Sequence, residues 1–155
     1  MRDNLKTGLL GLCFTVMLVG YGHAAEVAPA DVKFTDDNSI EASLTDTEGD
    51  ADSGKETFVA RKLGNCLACH ANKDAENELF HGSVGPALDG VADRYSTAQL
   101  RGIVVNAKKM FTADTVMPGF YSLEVGKNPR KESIGKTILT AEQIEDLVAY
   151  LGTLK

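Results

Sequence analysis

Apolar residues recur at helical intervals in three stretches, and each stretch opens with a hydroxyl residue three positions ahead of a Glu or Gln. In that pairing the hydroxyl accepts from a first-turn amide while the second side chain accepts from the backbone N–H of the first, so it marks a helix start. Ser53 with Glu56 predicts the first helix, whose Phe58, Val59 and Leu63 lead through Gly64 into a short cysteine-containing run. Ser96 with Gln99 predicts the second, through Leu100, Ile103, Val104 and Ala107. Thr140 with Gln143 predicts the third, where Ile144, Leu147, Val148, Leu151 and Leu154 form one stripe. No run of strand character competes with these, and the expected fold class is all-α.

Two segments precede the helices. Arg2 and Lys6, the apolar run Leu9 to Val19, and then Gly22-His23-Ala24-Ala25 make up the three parts of a secretory signal peptide, with cleavage expected after Ala24. The run is shorter than the ~20 residues of a bilayer span, so no membrane span is expected once it is removed. Leu12 ahead of Cys13 argues against lipidation there, and Cys13 is expected to leave with the signal. The resulting organisation is a signal peptide at 1–24, an acidic extension at 25–52 and a small domain at 53–155. The extension carries Asp31, Asp36, Asp37, Glu41, Asp46, Glu48, Asp50 and Asp52 against Lys33 alone. It reads either as a solvated arm or as a strap lying on a partner through Val32, Phe34, Ile40 and Leu44.

Charge and composition narrow the picture. The sequence has 22 acidic and 16 basic residues and a net charge of −6, and loss of Arg2, Lys6 and Asp3 leaves the exported chain more acidic by a single charge. Nucleic acid is therefore not an expected partner. There is no Trp, with only 6 Phe and 4 Tyr, a thin supply of large apolar side chains unless a flat apolar group joins the core.

Cys66-Leu67-Ala68-Cys69-His70 supplies that group. Two cysteines three apart followed by histidine read as a c-type haem attachment site, in which one helical turn brings both thiols to the porphyrin vinyl groups and His70 to the iron. Zinc would need a second set of ligands, but Cys13, His23 and His81 are the only further cysteine and histidines. A dithiol oxidoreductase would place its pair after a strand, and none precedes Cys66. One covalent haem c is expected.

His70 leaves one axial position of the iron, for which His81, Met110 and Met117 are candidates. Met117 is the expected ligand, because Thr115-Val116-Met117-Pro118-Gly119 is a non-helical loop far enough past His70 to wrap to the opposite face. Thioether ligation raises the potential, which suits an electron carrier. Met110 reads as core filler and His81 as a loop histidine bonded to backbone or water.

A small helical domain with the haem motif after its first helix and an amphipathic helix at its end resembles the class I cytochromes c. That resemblance implies that the first and last helices cross, with Gly54 or Phe58 against Leu147, Tyr150 and Leu151. Gly85-Pro86-Ala87-Leu88 is similar to the stretch that follows the haem motif in those proteins, which implies that the Pro86 carbonyl accepts from the second ring nitrogen of His70 and fixes its orientation.

Longer stretches resemble the SoxX family: residues 63–70, 80–91, 115–118 and 138–151. These are monohaem cytochrome subunits of the thiosulfate-oxidising Sox system. The resemblance implies axial ligation by His70 and Met117, thioethers at Cys66 and Cys69, and a heterodimer with a SoxA-like cytochrome in the periplasm. It implies further that the complex joins thiosulfate oxidatively to a cysteine of a SoxY-type carrier, as an L-cysteine S-thiosulfotransferase. The chemistry would belong to the SoxA-like subunit, while this chain passes electrons to a soluble cytochrome and carries no catalytic residue. The stretch 124–136, with Lys127, Arg130, Lys131 and Lys136 beside Glu132, is shorter than the family pattern and reads as a solvated loop or as a dock for an acidic partner. The alternatives are a free diffusible monohaem shuttle and a peroxidase or ligand sensor with an open sixth position.

Overall fold

The computed structural model describes residues 25–155 apart from 125, 127 and 130. The expected signal peptide at 1–24, with Cys13 and His23, lies outside the described residues, as do Lys127 and Arg130 of the basic stretch.

Among the described residues four α-helices form the frame: α1 (Ala51–Val59), α2 (Val91–Arg94), α3 (Thr97–Met110) and α4 (Ala141–Leu151). Short 3-10 turns occur at Cys66–Ala68, Lys73–Ala75 and Lys131–Ser133, and no strand is present among the described residues. The all-α expectation holds.

Two of the three expected caps form as read. Gln99 N–H donates to Ser96 Oγ at 3.2 Å and Ser96 N–H to Gln99 Oε1 at 3.0 Å. Thr140 and Gln143 make the same reciprocal pair at 3.2 and 3.0 Å. The first helix differs, because it starts ahead of Ser53. Asp50 is its cap, its carboxylate accepting from Ser53 N–H at 2.7 Å, while the Asp50 N–H donates to Asp146 Oδ1 at 2.8 Å. A carboxylate at a helix N-terminus gains from the exposed amides and the helix dipole, and the bond from Ser53 holds the Asp50 carboxyl below its ordinary pKa.

α1 and α4 cross at close quarters. A Cβ on Gly54 would stand 2.0 Å from Asp146 O and 2.8 Å from Tyr150 Cβ, so only glycine lets the two backbones meet. One turn on, Phe58 is 1% exposed and presses edge-on against Tyr150, ring centres 5.4 Å apart, an arrangement aromatic pairs favour. The α4 stripe of Ile144, Leu147, Val148 and Leu151 is buried in the same core. At the end of the chain, Ala92 N–H donates to Leu154 O at 3.0 Å and ties α2 to the residues after α4.

The acidic stretch before α1 is not a solvated arm. Ile40 and Leu44, 2% and 1% exposed, belong to the domain's own core. Val27 N–H donates to Leu44 O at 2.9 Å and Ile40 N–H to Ala98 O at 3.0 Å. Arg101 of α3 joins Glu145 of α4 through Nε at 2.8 Å and Nη2 at 3.0 Å, and its Nη1 donates to Ile40 O at 2.8 Å. Glu145 Oε1 also accepts from Leu44 N–H at 2.9 Å. Both buried charges are thus paired and hydrogen-bonded, the condition under which buried charge is tolerated. The acidic side chains turn outward while the spaced apolar residues turn in.

Candidate functional site

Cys66–Ala68 forms one 3-10 turn, entered through Asn65 in the left-handed region at φ 49°. The Cys66 carbonyl accepts from both Cys69 N–H at 3.0 Å and His70 N–H at 2.9 Å, so the two sulfurs and the imidazole project from a single turn. Cys66 and Cys69 are not joined in a disulfide. Burial pushes the Cys66 thiol up to about 12, whereas a dithiol oxidoreductase needs a lowered thiol.

The loop from Gly82 to Leu88 lies along this turn. Gly82 N–H donates to Leu67 O at 2.7 Å, Gly85 N–H to Cys69 O at 2.9 Å and Leu88 N–H to Ala71 O at 2.9 Å. Two of its glycines are needed for contact. A Cβ on Gly82 would stand 2.0 Å from Ala68 O, and one on Gly85 would stand 2.2 Å from His70 Cε1. The imidazole therefore rests on the Gly85 backbone.

His70 Nδ1 lies 2.7 Å from Pro86 O. A carbonyl can only accept, so Nδ1 carries the proton; in the neutral imidazole Nε2 then keeps its lone pair, the tautomer a metal-ligating histidine needs. The structure thus brings Cys66, Cys69, His70 and Pro86 together. Two thiols on one turn and an imidazole held with Nε2 available form the donor set of a c-type haem, and the residues present fit that group.

The other candidate ligands separate by their surroundings. His81 Nδ1 accepts from Asn72 N–H at 3.3 Å and Nε2 donates to Ala75 O at 3.0 Å, so both ring nitrogens are in use and His81 is a loop histidine bonded to backbone. Met110 Sδ lies against Gly102, 2.9 Å from where a Cβ would stand, beside the Asn38–Ser39 turn. Met117 is half-buried in a loop and packs against the core. Leu79, Phe80, Val84 and Val116, in the segments that follow the haem motif or precede Met117, are 71–79% exposed.

Sequence reasoning passed over three features that shape this site. Gly82 and Gly85 carry no side-chain signal, so the contacts their missing Cβ atoms permit are not legible in the sequence. Asn72 was also missed: 1% exposed, it donates through Nδ2 to Tyr150 Oη at 2.8 Å and connects the turn after the haem motif to α4.

The family model for cytochrome c matches residues 51–155. The chain is 42% identical to a chain of the crystal structure of SoxXA from P. pantotrophus, over 84% of this chain and 98% of that one, with a TM-score of 0.76. The c-type cytochrome SorU from Sinorhizobium meliloti is 27% identical over 67% and 88% of the two chains, but its TM-score of 0.44 is too low to carry weight. No curated protein matches the chain. From the attachment turn, the pinned histidine and the extent of these likenesses, the chain belongs to the cytochrome c family and is a SoxX-type electron-transfer cytochrome.

Proposed function

We propose that this cytochrome is the electron-accepting subunit of a thiosulfate-oxidising enzyme, paired with a SoxA-like cytochrome in the periplasm. The observation that carries the reading is the 42% identity, over 98% of its length, to a chain of the SoxXA structure. In the reaction, a sulfur–sulfur bond forms between a carrier cysteine and thiosulfate, the thiol proton is released, and two electrons leave. A bound c-type haem would supply a one-electron ferric/ferrous couple, raised in potential by a thioether ligand, and would pass the two electrons on one at a time.

In this reading Cys66 and Cys69 fasten the porphyrin, His70 and Met117 hold the iron, and Pro86 orients His70. The sulfur chemistry is assigned to the partner, which also holds the SoxY-type carrier cysteine while a soluble cytochrome takes the electrons away. Residues 1–24 act as the export signal, and the haem domain from residue 53 keeps the 25–52 segment folded on it. A lasting partner would call for a larger and less charged surface than a transient docking face. The 25–52 segment gives that argument no support, because its apolar residues are spent on the domain itself.

The test is isolation of the native protein from a thiosulfate-grown culture. Co-purification with a second c-type cytochrome, and thiosulfate-dependent reduction of a soluble cytochrome by the pair, are the expected results. Recovery of the chain alone, fully active as a carrier, would instead establish the free shuttle.

A further inference from the structure

Helix α3 is interrupted at Asn106, whose φ of −156° and ψ of 87° are not helical. In an unbroken helix the Val104 and Val105 carbonyls would accept from the amides of Lys108 and Lys109. Here Lys108 N–H donates to Asn106 Oδ1 at 3.2 Å, the kind of local side-chain alternative asparagine offers a backbone. The two carbonyls accept instead from the loop that carries Met117: Phe120 N–H reaches Val104 O at 3.1 Å and Tyr121 N–H reaches Val105 O at 3.2 Å.

Two further contacts converge on the same break. A Cβ on Gly119 would stand 3.1 Å from Val105 O and 3.2 Å from Asn106 Cγ, so the loop is seated directly on the interruption. On the other side of Met117, Lys108 Nζ donates to Thr115 O, and Thr112 N–H donates to Thr115 Oγ1 at 3.2 Å. Met117 is therefore suspended between two attachments, Thr115 and Phe120, both fastened to α3 within a turn of Asn106.

We propose that Asn106 is a positioning residue for Met117: by breaking α3 it makes two helix carbonyls into the anchor of the loop, and so holds the thioether at the iron. The inference rests on Met117 being the second axial ligand. Its logic is that the helix break and the ligand loop are one device. Restoring the helix takes back the carbonyls and leaves the loop unfastened.

The experiment uses the haem-loaded protein and three readouts: the sulfur-to-iron charge-transfer band of the ferric form, the affinity for added imidazole, and the thermal midpoint. Asn106→Ala is expected to keep its covalent haem, to weaken the band, and to bind imidazole about tenfold more tightly, the size set by losing one or two net backbone hydrogen bonds. Asn106→Asp keeps an acceptor oxygen and is expected to restore both spectroscopic readouts. Should Asn106→Ala not fold, Asn106→Gln, which is polar but continues a helix more readily, makes the same comparison. A lowered midpoint with unchanged band and imidazole affinity would mean a merely structural residue and overturn the proposal. Met117→Ala separates the two levels. If it keeps the band, the ligand assignment falls and the inference with it; if it loses the band while the Asn106 variants match the parent, only the positioning role falls.

Discussion

Tyr150 of the last helix donates its hydroxyl proton to Asp74 Oδ2 at 2.8 Å, and Asp74 in turn pairs with Lys55 of α1 at 2.8 Å. The first helix, the last helix and the turn after the haem motif are thereby joined through one carboxylate. The Lys55 and Tyr150 bonds hold the Asp74 carboxyl below its ordinary pKa. Burial, and then the bond to Asp74, hold the Tyr150 phenol above its own. A depressed carboxyl stabilises the fold above its unfolded pKa and loses that contribution as pH falls through the folded one. A raised phenol contributes below its unfolded pKa and loses that contribution as pH rises through the folded one. Asp74→Asn is thus expected to be less stable than the parent at neutral pH, with the difference closing in acid. Denaturant midpoints measured across pH check this, and a pH-independent difference would contradict it.

Met117→Ala is expected to leave the haem attached through Cys66 and Cys69, to open the iron to added ligands, and to lower the reduction potential, since a thioether favours the ferrous state. Potentiometric titration and visible spectra measure both effects. A native spectrum in the variant would assign the second ligand elsewhere.

Gly85→Ala would put a methyl group 2.2 Å from His70 Cε1, and no rotamer of alanine relieves that clash. The ring must shift and its bond to Pro86 must lengthen. The expected result is a changed potential together with a lower thermal midpoint; parental values for both would show that the loop yields without disturbing the imidazole.

Phe58→Ala removes an almost fully buried ring from the α1–α4 crossing and is expected to cost about 3–5 kcal/mol. Urea unfolding monitored by far-ultraviolet circular dichroism measures it. A loss under about 1 kcal/mol would mean that the crossing repacks around the smaller side chain.

Glu145→Ala strands Arg101 in the interior and leaves Leu44 N–H without its acceptor, so it is expected to cost about 3–5 kcal/mol. Replacing Arg101 and Glu145 together by methionine removes the desolvated charges as well and is expected to cost less. A double variant no more stable than Glu145→Ala in the same urea assay would refute that ordering.

The features of this molecule that are legible in its sequence are those whose cause is local. The Ser96–Gln99 and Thr140–Gln143 caps need only a three-residue spacing, and the haem turn needs only five consecutive residues. The start of α1 escapes a local reading because Asp50 competes with Ser53 as a cap, and the choice is made by Asp146, far along the chain. The 25–52 stretch escapes it for a similar reason: its acidic composition is visible, but the partners of Ile40 and Leu44, Ala98 and Glu145, lie far away in sequence. The break in α3 is invisible because Asn106 sits in a run that otherwise keeps helical spacing, and what makes the break favourable is the loop that returns at Phe120.

The clamp built by Arg101 and Glu145 has a consequence for how the molecule reaches its final form. Leu44 and Glu145 are 101 positions apart, so the knot that secures the leading segment cannot tighten until nearly the entire polypeptide is present. Contacts of such long sequence separation are late and slow to assemble, and a chain cut short ahead of Glu145 would leave its front end loose however well the attachment turn had formed.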